Sequence, residues 1–567
     1  MSENTELFRQ AMAWIDQDPD PETRAELADL IDRAEKGDDS ATADLASRFG
    51  GHLTFGTAGL RAEIGAGPLR MNRVVVSHAA HGLGRFLLER SSGTQLRVVV
   101  GYDARHNSDV FARDTAEILQ ALGIEAMLFD QISPTPVLAF AVRHVDADAG
   151  VMVTASHNPP ADNGYKVYLG GSDEGSQIVP PTDAEIHQAI MASHNSVKAT
   201  DLARDPNVRT IGRDVVEAYE HATLQVAQQF DAAGRDQLRI CYTPLHGVGA
   251  EVFERLLATA AFTSAVTVQE QAVPDPDFPT VSFPNPEEAG ALDLAMEQAQ
   301  SMGADLIIAH DPDADRLAVA LPNSESPSGW TMLSGNELGA ILASERAKQV
   351  SAAGNSGVIG YSLVSSPIAG AIAAHHGLDG VETPTGFKWI SRLPGLVFGY
   401  EEALGYLVNP ETVRDKDGIS AGLFLACLAA GEHHQGRSLW DRLEDVRDTY
   451  GGFRSDQISL RFDSMQVAGG VMDRVREDTA TAFPSLTIDS VSDLLHESGD
   501  LPPTNLIQLG LADGDRVIVR PSGTEPKLKV YLDCVRPQQA DADLALETLR
   551  EAVASDIEAL VASSSTN

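Results

Sequence analysis

The sequence predicts an α/β protein in which three related α/β units are followed by a different, α+β unit. Apolar, β-rich runs alternate with longer stretches of helical pattern, which is typical of α/β layers with parallel or mixed sheets. Nearly all of these runs lead directly into a polar loop. The chain has 567 residues, enough for about three to five domains of roughly 100–200 residues each.

Six apolar runs are the clearest strand candidates, at 96–100, 149–153, 238–242, 304–309, 358–361 and 396–400. The loops that follow them read GYDAR, TASHNPP, TPLHGVG, HDPDADR, SLVSS and EEALGY. In open α/β sheets, ligands bind beyond the carboxyl ends of the strands. We therefore expect the chemistry of the protein to lie in these loops.

Polar stretches with little helical pattern mark the predicted domain boundaries. They divide the chain into domain I at 1–205, domain II at 206–325, domain III at 326–446 and domain IV at 447–567. The last domain alternates strand-like runs at 457–462, 516–520 and 529–532 with helical stretches, which predicts an α+β arrangement.

The charge balance is strongly acidic, with 42 basic against 82 acidic residues and a formal net charge of −40. Such a surface repels nucleic acid and anionic membranes, so we expect neither as a partner. The three cysteines are far apart and predict no disulfide framework. The amino-terminal stretch lacks the apolar core of a signal peptide, and no run of about 18 apolar residues is present. These features predict a cytoplasmic protein.

The first candidate motif for chemistry is TASHNPP, residues 154–160. It places the Ser156 hydroxyl beside His157 at a strand end, and an Asn-Gly turn is expected to bring Lys166 back to the same place. A nucleophilic serine needs a nearby base or cation, and this loop offers both. The alternative is an ordinary Ser/Pro turn.

The second motif places Asp311, Asp313 and Asp315 after an apolar run. In an extended segment these side chains point to one side, and such a cluster suits a hard divalent cation such as Mg²⁺. An EF-hand loop is excluded, because its sixth residue would be Arg316 and its twelfth Pro322. An aspartyl nucleophile and a solvated acidic turn remain as alternatives.

Weaker motifs complete the set. RPSGTEPK at 520–527 could bind an anion through backbone N–H groups and side chains. The carboxylates of GYEEALGY at 399–406 could accept hydrogen bonds from sugar hydroxyls. TGFK at 385–388, RDKDG at 414–418, GYDAR at 101–105 and TFGTAGLR at 54–61 add cations, although structural turns explain each of them equally well in isolation.

Taken together and in this order, the motifs resemble those of the α-D-phosphohexomutase superfamily of phosphoglucomutases and phosphomannomutases. FGTAGLR, TASHNPP, DPDADR, EEALGY and RPSGTEP span nearly the whole chain. TPLHGVG, PTGFKWI, GYEEALGY and RDKDG are most similar to the branch of bacterial phosphoglucomutases and animal phosphopentomutase and glucose-1,6-bisphosphate synthase enzymes. The resemblance implies four domains, heart-shaped with a central cleft, the fourth similar to the TATA-box-binding-protein fold.

The resemblance also implies roles for individual residues. Ser156 matches the phosphoserine and, with Asp311, Asp313 and Asp315, the magnesium site. Residues that match assistants of phosphoryl and proton transfer are Arg61, His157, Lys166 and Arg316. The sugar-binding side is matched by Glu401, with Thr385, Gly386, Lys388 and Lys416 as further sugar-phosphate contacts. The distal phosphate clamp is matched by Arg520, Ser522, Gly523 and Thr524.

One departure concerns the sugar loop. Many glucose- and mannose-specific members carry Glu-x-Ser there, whereas this chain has Glu401-Glu402-Ala403. The loss of a designed hydroxyl partner shifts preference between substrates. The substrate expectation is therefore a hexose 1-phosphate and its 6-phosphate, glucose before mannose, with pentose 1-phosphate as the alternative.

The expected cofactors are one Mg²⁺ ion and a sugar 1,6-bisphosphate, which serves as activator and intermediate. The expected partner is a small sugar phosphate, and the expected assembly is a monomer or dimer. The general base remains open between His157 and Lys166. A sugar-phosphate phosphatase and a non-catalytic sensor remain as rival functions. Because the surface is acidic, phosphate binding requires a local cationic island, and its predicted members are Arg61, Arg105, Lys166, Arg316, Lys388, Arg414, Lys416, Arg520, Lys527 and Lys529.

Overall fold

The computed structural model describes residues 3–54, 59–91, 93–496, 502–522 and 526–564. The chain divides into two compact units. The first comprises Met1–Met332 with Gly405–His434, and the second comprises Leu333–Leu404 with Gln435–Asn567. Residues of the predicted domain III occur in both units.

The first part of the chain forms a helical layer followed by an α/β sheet. Its elements are α1 (Glu3–Ile15), α2 (Pro21–Glu35), α3 (Asp39–Phe49), β1 (Leu60–Glu63), α4 (Arg73–Arg90), β2 (Arg97–Tyr102), α5 (Ser108–Ala121), β3 (Glu125–Phe129), α6 (Thr135–His144), β4 (Ala149–Val153), β5 (Asp162–Leu169), β6 (Ser176–Gln177), α7 (Thr182–Ser196) and β7 (Arg209–Ile211).

The sheet of this part has the order β1-β5-β4-β2-β3-β7, with β6 paired to β5. Strand β2 runs parallel to β3 and β4, whereas β5 is antiparallel to β4 and β1. Residues 154–161 therefore form a tight reversal between β4 and β5. The predicted Asn-Gly turn is wrong, since Asn163 and Gly164 lie inside β5. The chain reverses before them, where the Asp162 amide donates to the Pro159 carbonyl at 3.0 Å.

The second part of the chain builds a mixed sheet of order β12-β11-β10-β8-β9. Strand β8 is parallel to β9 and β10, and β10 is antiparallel to β11. The aspartate motif is thus the connection of the β10–β11 hairpin. The elements are α8 (Arg213–Ala227), β8 (Ile240–Thr243), α9 (Ala250–Thr259), β9 (Ala265–Thr267), α10 (Gln269–Ala272), α11 (Asp293–Met302), β10 (Leu306–His310), β11 (Leu317–Pro322) and β12 (Trp330–Met332).

The third part of the chain contributes α12 (Gly335–Ala352), β13 (Val358–Ser362), α13 (Ile368–His375), β14 (Asp379–Thr383), α14 (Phe387–Ile390), β15 (Leu396–Glu401), β16 (Gly405–Leu407), α15 (Gly418–His434) and α16 (Leu439–Tyr450). Strand β13 is parallel to β14 and β15 within the second unit. A capping box of Ser334 and Glu337 starts α12. Helix α15 belongs to the first unit, where it packs on α8 and α9.

The last part of the chain is α+β, as predicted. Its antiparallel sheet has the order β17-β21-β20-β19-β18 and buries one face against helices. The elements are β17 (Gly452–Arg461), α17 (Met465–Glu477), α18 (Thr479–Ala482), β18 (Ile488–Asp493), β19 (Ile507–Leu511), β20 (Arg516–Pro521), β21 (Lys527–Arg536) and α19 (Gln539–Ser564).

The predicted fold class is confirmed, and each of the six strand candidates coincides with a strand, from β2 to β15. The three cysteines are buried and free. Within the described part of the chain, every helix is too short or too polar to cross a membrane.

Candidate active site

The serine loop begins where β4 ends. The Ser156 backbone amide donates to the Thr154 hydroxyl at 2.8 Å, which closes a local turn. Ser156 has φ +53°, in the left-handed region that non-glycine residues seldom adopt. Such backbone strain persists only where the surroundings hold it, and it clusters at functional sites.

Arg105 holds the backbone of this loop through hydrogen bonds. The sequence motif did not predict this role. Its guanidinium donates to the carbonyls of Ser156, Asn158, Pro159 and Asp162 at 2.5–3.0 Å. Arg105 is a predicted member of the cationic island, and its side chain is buried, as is that of Lys166. Through these hydrogen bonds it fixes the backbone of the nucleophile loop.

The Ser156 side chain points at the aspartate cluster. Its Oγ donates to Asp311 Oδ2 at 2.7 Å, across a separation of 155 residues in the chain. His157 Nδ1 lies 3.0 Å from the same Oγ. The structure thus brings together the serine, the histidine and the aspartates that the sequence singled out separately.

The aspartate motif is a turn, so the predicted extended segment is wrong. The Ala314 amide donates to the Asp311 carbonyl at 2.9 Å, and Ala314 has φ +59°. The turn still gathers the carboxylates of Asp311, Asp313 and Asp315, whose ligand oxygens lie within 4.8 Å of one another. Convergence comes from the hairpin geometry rather than from strand alternation.

Asp313 and Asp315 each have one carboxylate oxygen held by the protein, and Asp311 has both. Asp313 Oδ2 accepts from Thr135 at 2.5 Å and from Lys166 at 2.7 Å. Asp315 Oδ2 accepts from Lys166 at 2.9 Å and lies 3.2 Å from Lys416 Nζ. Asp311 Oδ1 accepts a hydrogen bond from the Arg316 backbone amide at 3.0 Å.

In Asp313 and Asp315 the opposite oxygen makes no such hydrogen bond within the described part of the chain. Asp313 Oδ1 and Asp315 Oδ1 are buried and have no hydrogen-bond partner among the described residues. Burying such an oxygen without a partner is costly. Together with Asp311 Oδ2, which accepts from Ser156 Oγ, these atoms form a set of three carboxylate oxygens. This donor set fits a hard divalent cation that keeps further positions for other oxygen ligands.

Electrostatics in the cluster follow from burial and from the neighbouring charges. Burial, together with Asp313 and Asp315, raises the pKa of Asp311 well above its ordinary value. Burial also opposes ionisation of Asp315, but Lys166 and Lys416 outweigh it and lower the pKa of that carboxyl. Burial, with Arg316 and Arg61 nearby, lowers the pKa of His157 well below its ordinary value.

The 414–418 loop supplies the second lysine. Asp415 Oδ1 accepts the Lys416 amide at 2.8 Å, and Asp415 Oδ2 accepts from Tyr168 and Gln177, each at 2.9 Å. A Cβ added at Gly418 would lie 2.3 Å from the Arg316 carbonyl, so the loop lies directly against the aspartate hairpin. The sequence predicted Lys416 but not the role of Asp415 in holding it.

Two arginines flank the serine side. Arg61, on β1, donates to Asn158 Oδ1 at 3.2 Å, and Arg316 Nε lies 4.0 Å from Asp315 Oδ1. Arg414, predicted to join the cationic island, instead pairs with Glu174 at 2.9 Å. The motif that begins at 54 falls partly outside the described residues, at 55–58.

The predicted sugar and phosphate residues other than Lys416 belong to the second unit. Thr385 and Gly386 precede α14, and Lys388 on that helix is buried. Glu401 ends β15, and Arg520 lies near the end of β20. Ser522 follows, with its amide donating to the Lys527 carbonyl at 2.8 Å. The remaining predicted clamp residues, Gly523 and Thr524, lie outside the described residues.

The charges of Glu401 and Arg520 both affect the pKa of Tyr531, a residue of the second unit. Burial raises the pKa of Tyr531, and the charges of Glu402 and Glu401 raise it further, whereas Arg520 opposes this increase. Glu402 itself is fixed, because Ser362 and Ser365 donate to its Oε2 at 3.1 and 3.2 Å. The acidic pair of the sugar loop and the arginine of the predicted clamp therefore share one neighbourhood.

Family models match along the chain. They describe the alpha/beta/alpha domains I, II and III of phosphoglucomutase/phosphomannomutase at residues 52–197, 217–324 and 334–450, and the C-terminal domain at 504–551.

Individual relatives agree. The chain is 44% identical to a "Probable phosphomannomutase" of Haemophilus influenzae, over 85% of this chain and 97% of that protein. It is 33% identical to a phosphopentomutase of Mus musculus, over 96% and 93%. Among solved structures, parafusin, a phosphoglucomutase from Paramecium, has a similar fold, with a TM-score of 0.70 at 16% identity over 91% of this chain and 96% of that one.

The described site couples a serine to a buried carboxylate cluster suited to a metal ion, as phosphoryl transfer requires. Since four models of one family match in order and a relative 44% identical is covered over 97% of its length, the chain belongs to the phosphoglucomutase/phosphomannomutase family of the α-D-phosphohexomutase superfamily and is a phosphomutase, an intramolecular phosphotransferase.

Proposed function

We propose that this phosphomutase interconverts hexose 1-phosphate and hexose 6-phosphate, with glucose as the preferred sugar, through a phosphorylated Ser156 and a sugar bisphosphate. The observation that carries the proposal is the 2.7 Å hydrogen bond from Ser156 Oγ to Asp311. The Ser156 hydroxyl, on a residue with a left-handed backbone, therefore lies at the edge of the carboxylate cluster.

The proposed metal is a single Mg²⁺ ion, held by Asp311, Asp313 and Asp315 with an oxygen on Ser156. The buried, unpartnered oxygens of Asp313 and Asp315 support this set. When bound, Mg²⁺ neutralises negative charge on a phosphoryl group.

The chain's own residues then position and stabilise the transfer, as phosphoryl transfer chiefly requires. A sugar hydroxyl attacks the phosphorus on Ser156, and the bond from phosphorus to Oγ breaks. The hydroxyl proton passes to a base, either Lys166 or His157. Arg61 and Arg316 supply positive charge near the serine loop. The Ser156 oxygen takes a proton, and the resulting bisphosphate turns over. The Ser156 hydroxyl then attacks the other phosphorus and gives up its proton, the bond from that phosphorus to the sugar oxygen breaks, and the sugar oxygen takes a proton, which restores the phosphoserine.

In this proposal the residues predicted for sugar and phosphate binding hold the part of the substrate that does not react. Glu401 accepts from sugar hydroxyls, and the proposed contacts to the sugar phosphate are Thr385, Gly386, Lys388 and Lys416. The clamp for the distal phosphate consists of Arg520, Ser522, Gly523 and Thr524. The common influence of Glu401 and Arg520 on Tyr531 supports a shared sugar and phosphate surface.

We assign the serine loop, metal loop, sugar loop and phosphate loop to domains at 1–205, 206–325, 326–446 and 447–567, in that order. The protein is expected to act in the cytoplasm as a monomer or dimer. Sedimentation of the purified chain at several concentrations measures the assembly directly.

The role of Ser156 is tested by substitution and mass spectrometry. The wild-type chain, incubated with glucose 1,6-bisphosphate and Mg²⁺, should gain the mass of one phosphate on the peptide that contains residue 156. Ser156→Ala should gain none and should lose about four orders of magnitude or more of mutase kcat. A variant that keeps its activity, or that releases inorganic phosphate instead of isomerising the sugar, would support an aspartyl phosphatase.

A pentose substrate is the second candidate, and two observations favour it. The alignment with the mouse phosphopentomutase extends over 96% of this chain. The sugar loop has Ala403 where many hexose-specific relatives have a serine. Loss of such a hydrogen bond shifts preference between substrates.

One assay separates these substrates. Values of kcat/KM are measured for glucose 1-phosphate, mannose 1-phosphate and ribose 1-phosphate with the same bisphosphate-primed protein. We expect the glucose compound to give the highest value. A higher value for ribose 1-phosphate would replace the hexose assignment with the pentose one, without affecting the role of Ser156.

A further inference from the structure

A long connection between α10 and α11, residues 273–292, lies beside the serine loop and has no role in the mechanism above. It is described throughout and contains neither helix nor strand. Long irregular connections in compact domains commonly serve a function. Five prolines restrict its backbone: Pro274, Pro276, Pro279, Pro284 and Pro286.

One side of this segment is fixed to the frame of the aspartate hairpin. The Thr280 hydroxyl lies 2.8 Å from His246 Nε2 and accepts from Gln271 at 2.9 Å. The Asp275 amide donates to the His246 carbonyl at 3.1 Å. The same loop of β8 reaches the aspartates, because the Val248 amide donates to the Pro312 carbonyl at 2.8 Å. The segment is therefore anchored to the framework that carries the metal ligands.

The other side of the segment contacts residues that hold or flank the nucleophile. The Phe278 ring lies 5.0 Å from the Arg105 guanidinium carbon, a cation–π arrangement. Phe278 is buried and has φ +46°, in the left-handed region that non-glycine residues seldom adopt.

Phe283 contacts His157, which in turn contacts Ser156. Its ring meets the His157 ring edge to face, with centroids 6.5 Å apart. His157 Nδ1 is 3.0 Å from Ser156 Oγ, and the His157 side chain is only 18% exposed. An apolar ring thus covers the histidine that lies next to the nucleophile.

We propose that Phe283 is a positioning residue that keeps water from the Ser156 phosphate, so that the phosphoryl group passes to sugar rather than to water. The proposal rests on the phosphoserine mechanism above. In the unwanted reaction, a water oxygen bonds to phosphorus, the bond from phosphorus to Oγ breaks, the serine oxygen takes a proton, and inorganic phosphate leaves. Exclusion of water from the site suppresses this side reaction.

The test follows the phosphorylated protein over time. Wild type, Phe283→Ala and Phe283→Leu are primed with glucose 1,6-bisphosphate and Mg²⁺, and the sugars are removed. Loss of phosphate is then measured by intact mass and by release of inorganic phosphate. Phe283→Ala should lose phosphate about tenfold faster than wild type, while its kcat falls by less than about threefold, so the ratio of hydrolysis to transfer rises.

Ser282→Ala is the matched control, because Ser282 neighbours Phe283 in the chain but is exposed. It should retain the wild-type ratio of hydrolysis to transfer. A general loosening of the segment would raise hydrolysis in both variants and would overturn the specific role of Phe283. If Phe283→Ala does not fold, Phe283→Leu carries the test, with an expected increase of about two- to threefold.

Equal rates of phosphate loss in wild type and the folded Phe283 variants would overturn the proposal. Failure of the underlying mechanism gives a different result, since wild-type protein would then gain no phosphate on residue 156 during priming.

Discussion

At the scale of single residues, the site is built from partners that orient the carboxylates as much as from the carboxylates themselves. Thr135 and Lys166 hold Asp313, and Lys166 and Lys416 hold Asp315, always through Oδ2. In both aspartates the other carboxylate oxygen, Oδ1, is buried and has no hydrogen-bond partner among the described residues. Groups that orient metal ligands in this way commonly matter almost as much as the ligands.

The Thr135 hydroxyl is the smallest such group and gives a direct prediction. Thr135→Val removes its hydrogen bond to Asp313 while preserving the shape of the side chain. The Mg²⁺ concentration for half-maximal mutase activity should rise roughly 10- to 100-fold. Titration of activity with MgCl₂ measures this value.

Thr115→Val is the control for this substitution. Thr115 is also buried, but its hydroxyl donates at 2.8 Å to the Phe111 carbonyl within α5. Its Mg²⁺ requirement should equal that of wild type. An unchanged requirement in Thr135→Val would show that Thr135 does not orient Asp313.

At the scale of secondary-structure elements, the serine domain depends on the close packing of α4 against α7. A Cβ at Gly82 on α4 would lie 2.6 Å from the backbone N and Cα of Ile190 on α7. The backbone cannot yield as a flexible side chain would. The absence of a side chain at Gly82 therefore sets the distance between the two helices.

Gly82→Ala should lower the free energy of unfolding by about 1–3 kcal/mol through overpacking. Gly431→Ala is the matched helical control, because a Cβ there would meet no atom of the described chain within 4 Å. That variant should gain up to about 1 kcal/mol from helix propensity. Denaturant titration of both variants measures the difference, and equal stabilities would contradict the packing argument.

The same helix pair contains a histidine cluster that predicts acid sensitivity. His78 on α4 is buried, with Nδ1 3.0 Å from the Ser193 hydroxyl on α7. Burial, together with His194, His81 and His52, lowers the pKa of His78 from 6.5 to about 3. As the pH falls below about 6.5, the unfolded chain binds the proton first, so acid favours unfolding.

The free energy of unfolding should therefore fall, by up to about 1.4 kcal/mol per pH unit from this group, between pH ~6.5 and pH ~3. His78→Leu should lose less stability between pH 7 and pH 5 than wild type, as measured by thermal midpoints. His221→Gln, at an exposed position on α8, should match wild type. Identical pH profiles for wild type and His78→Leu would rule out His78 as the source.

At the scale of the whole molecule, the formal net charge of −40 dominates the surface. Like charges repel more in the compact folded state than in the extended chain, so self-repulsion costs stability.

Salt should relieve this repulsion. Raising NaCl from about 0.1 M to about 1 M shortens the Debye length from about 10 Å to about 3 Å. The thermal midpoint should rise by several degrees, as measured by scanning calorimetry. An equal rise in sucrose of matched osmolality would contradict an electrostatic origin.

The sequence by itself determined the strands at the clearest apolar runs, the polar loops that follow them and the residue types of the site. Apolar runs and turn residues act over a few neighbours, so their pattern is legible without the fold. Ser156, the three aspartates, Lys166 and Lys416 were identified in this way. The local pattern did not predict the path of the backbone at two places. Asn163 and Gly164 lie in a strand rather than a turn, and the aspartate motif forms a turn rather than an extended segment.

Only the tertiary structure decided which groups meet. Ser156 and Asp311 are 155 residues apart, and Thr135 and Asp313 are 178 apart, so these contacts depend on how two sheets pack. The same packing directs Arg105 to backbone carbonyls and Phe283 to His157. A cation or a ring in a loop has the same local pattern whichever partner it finds, and the partner is fixed by the three-dimensional packing of distant segments.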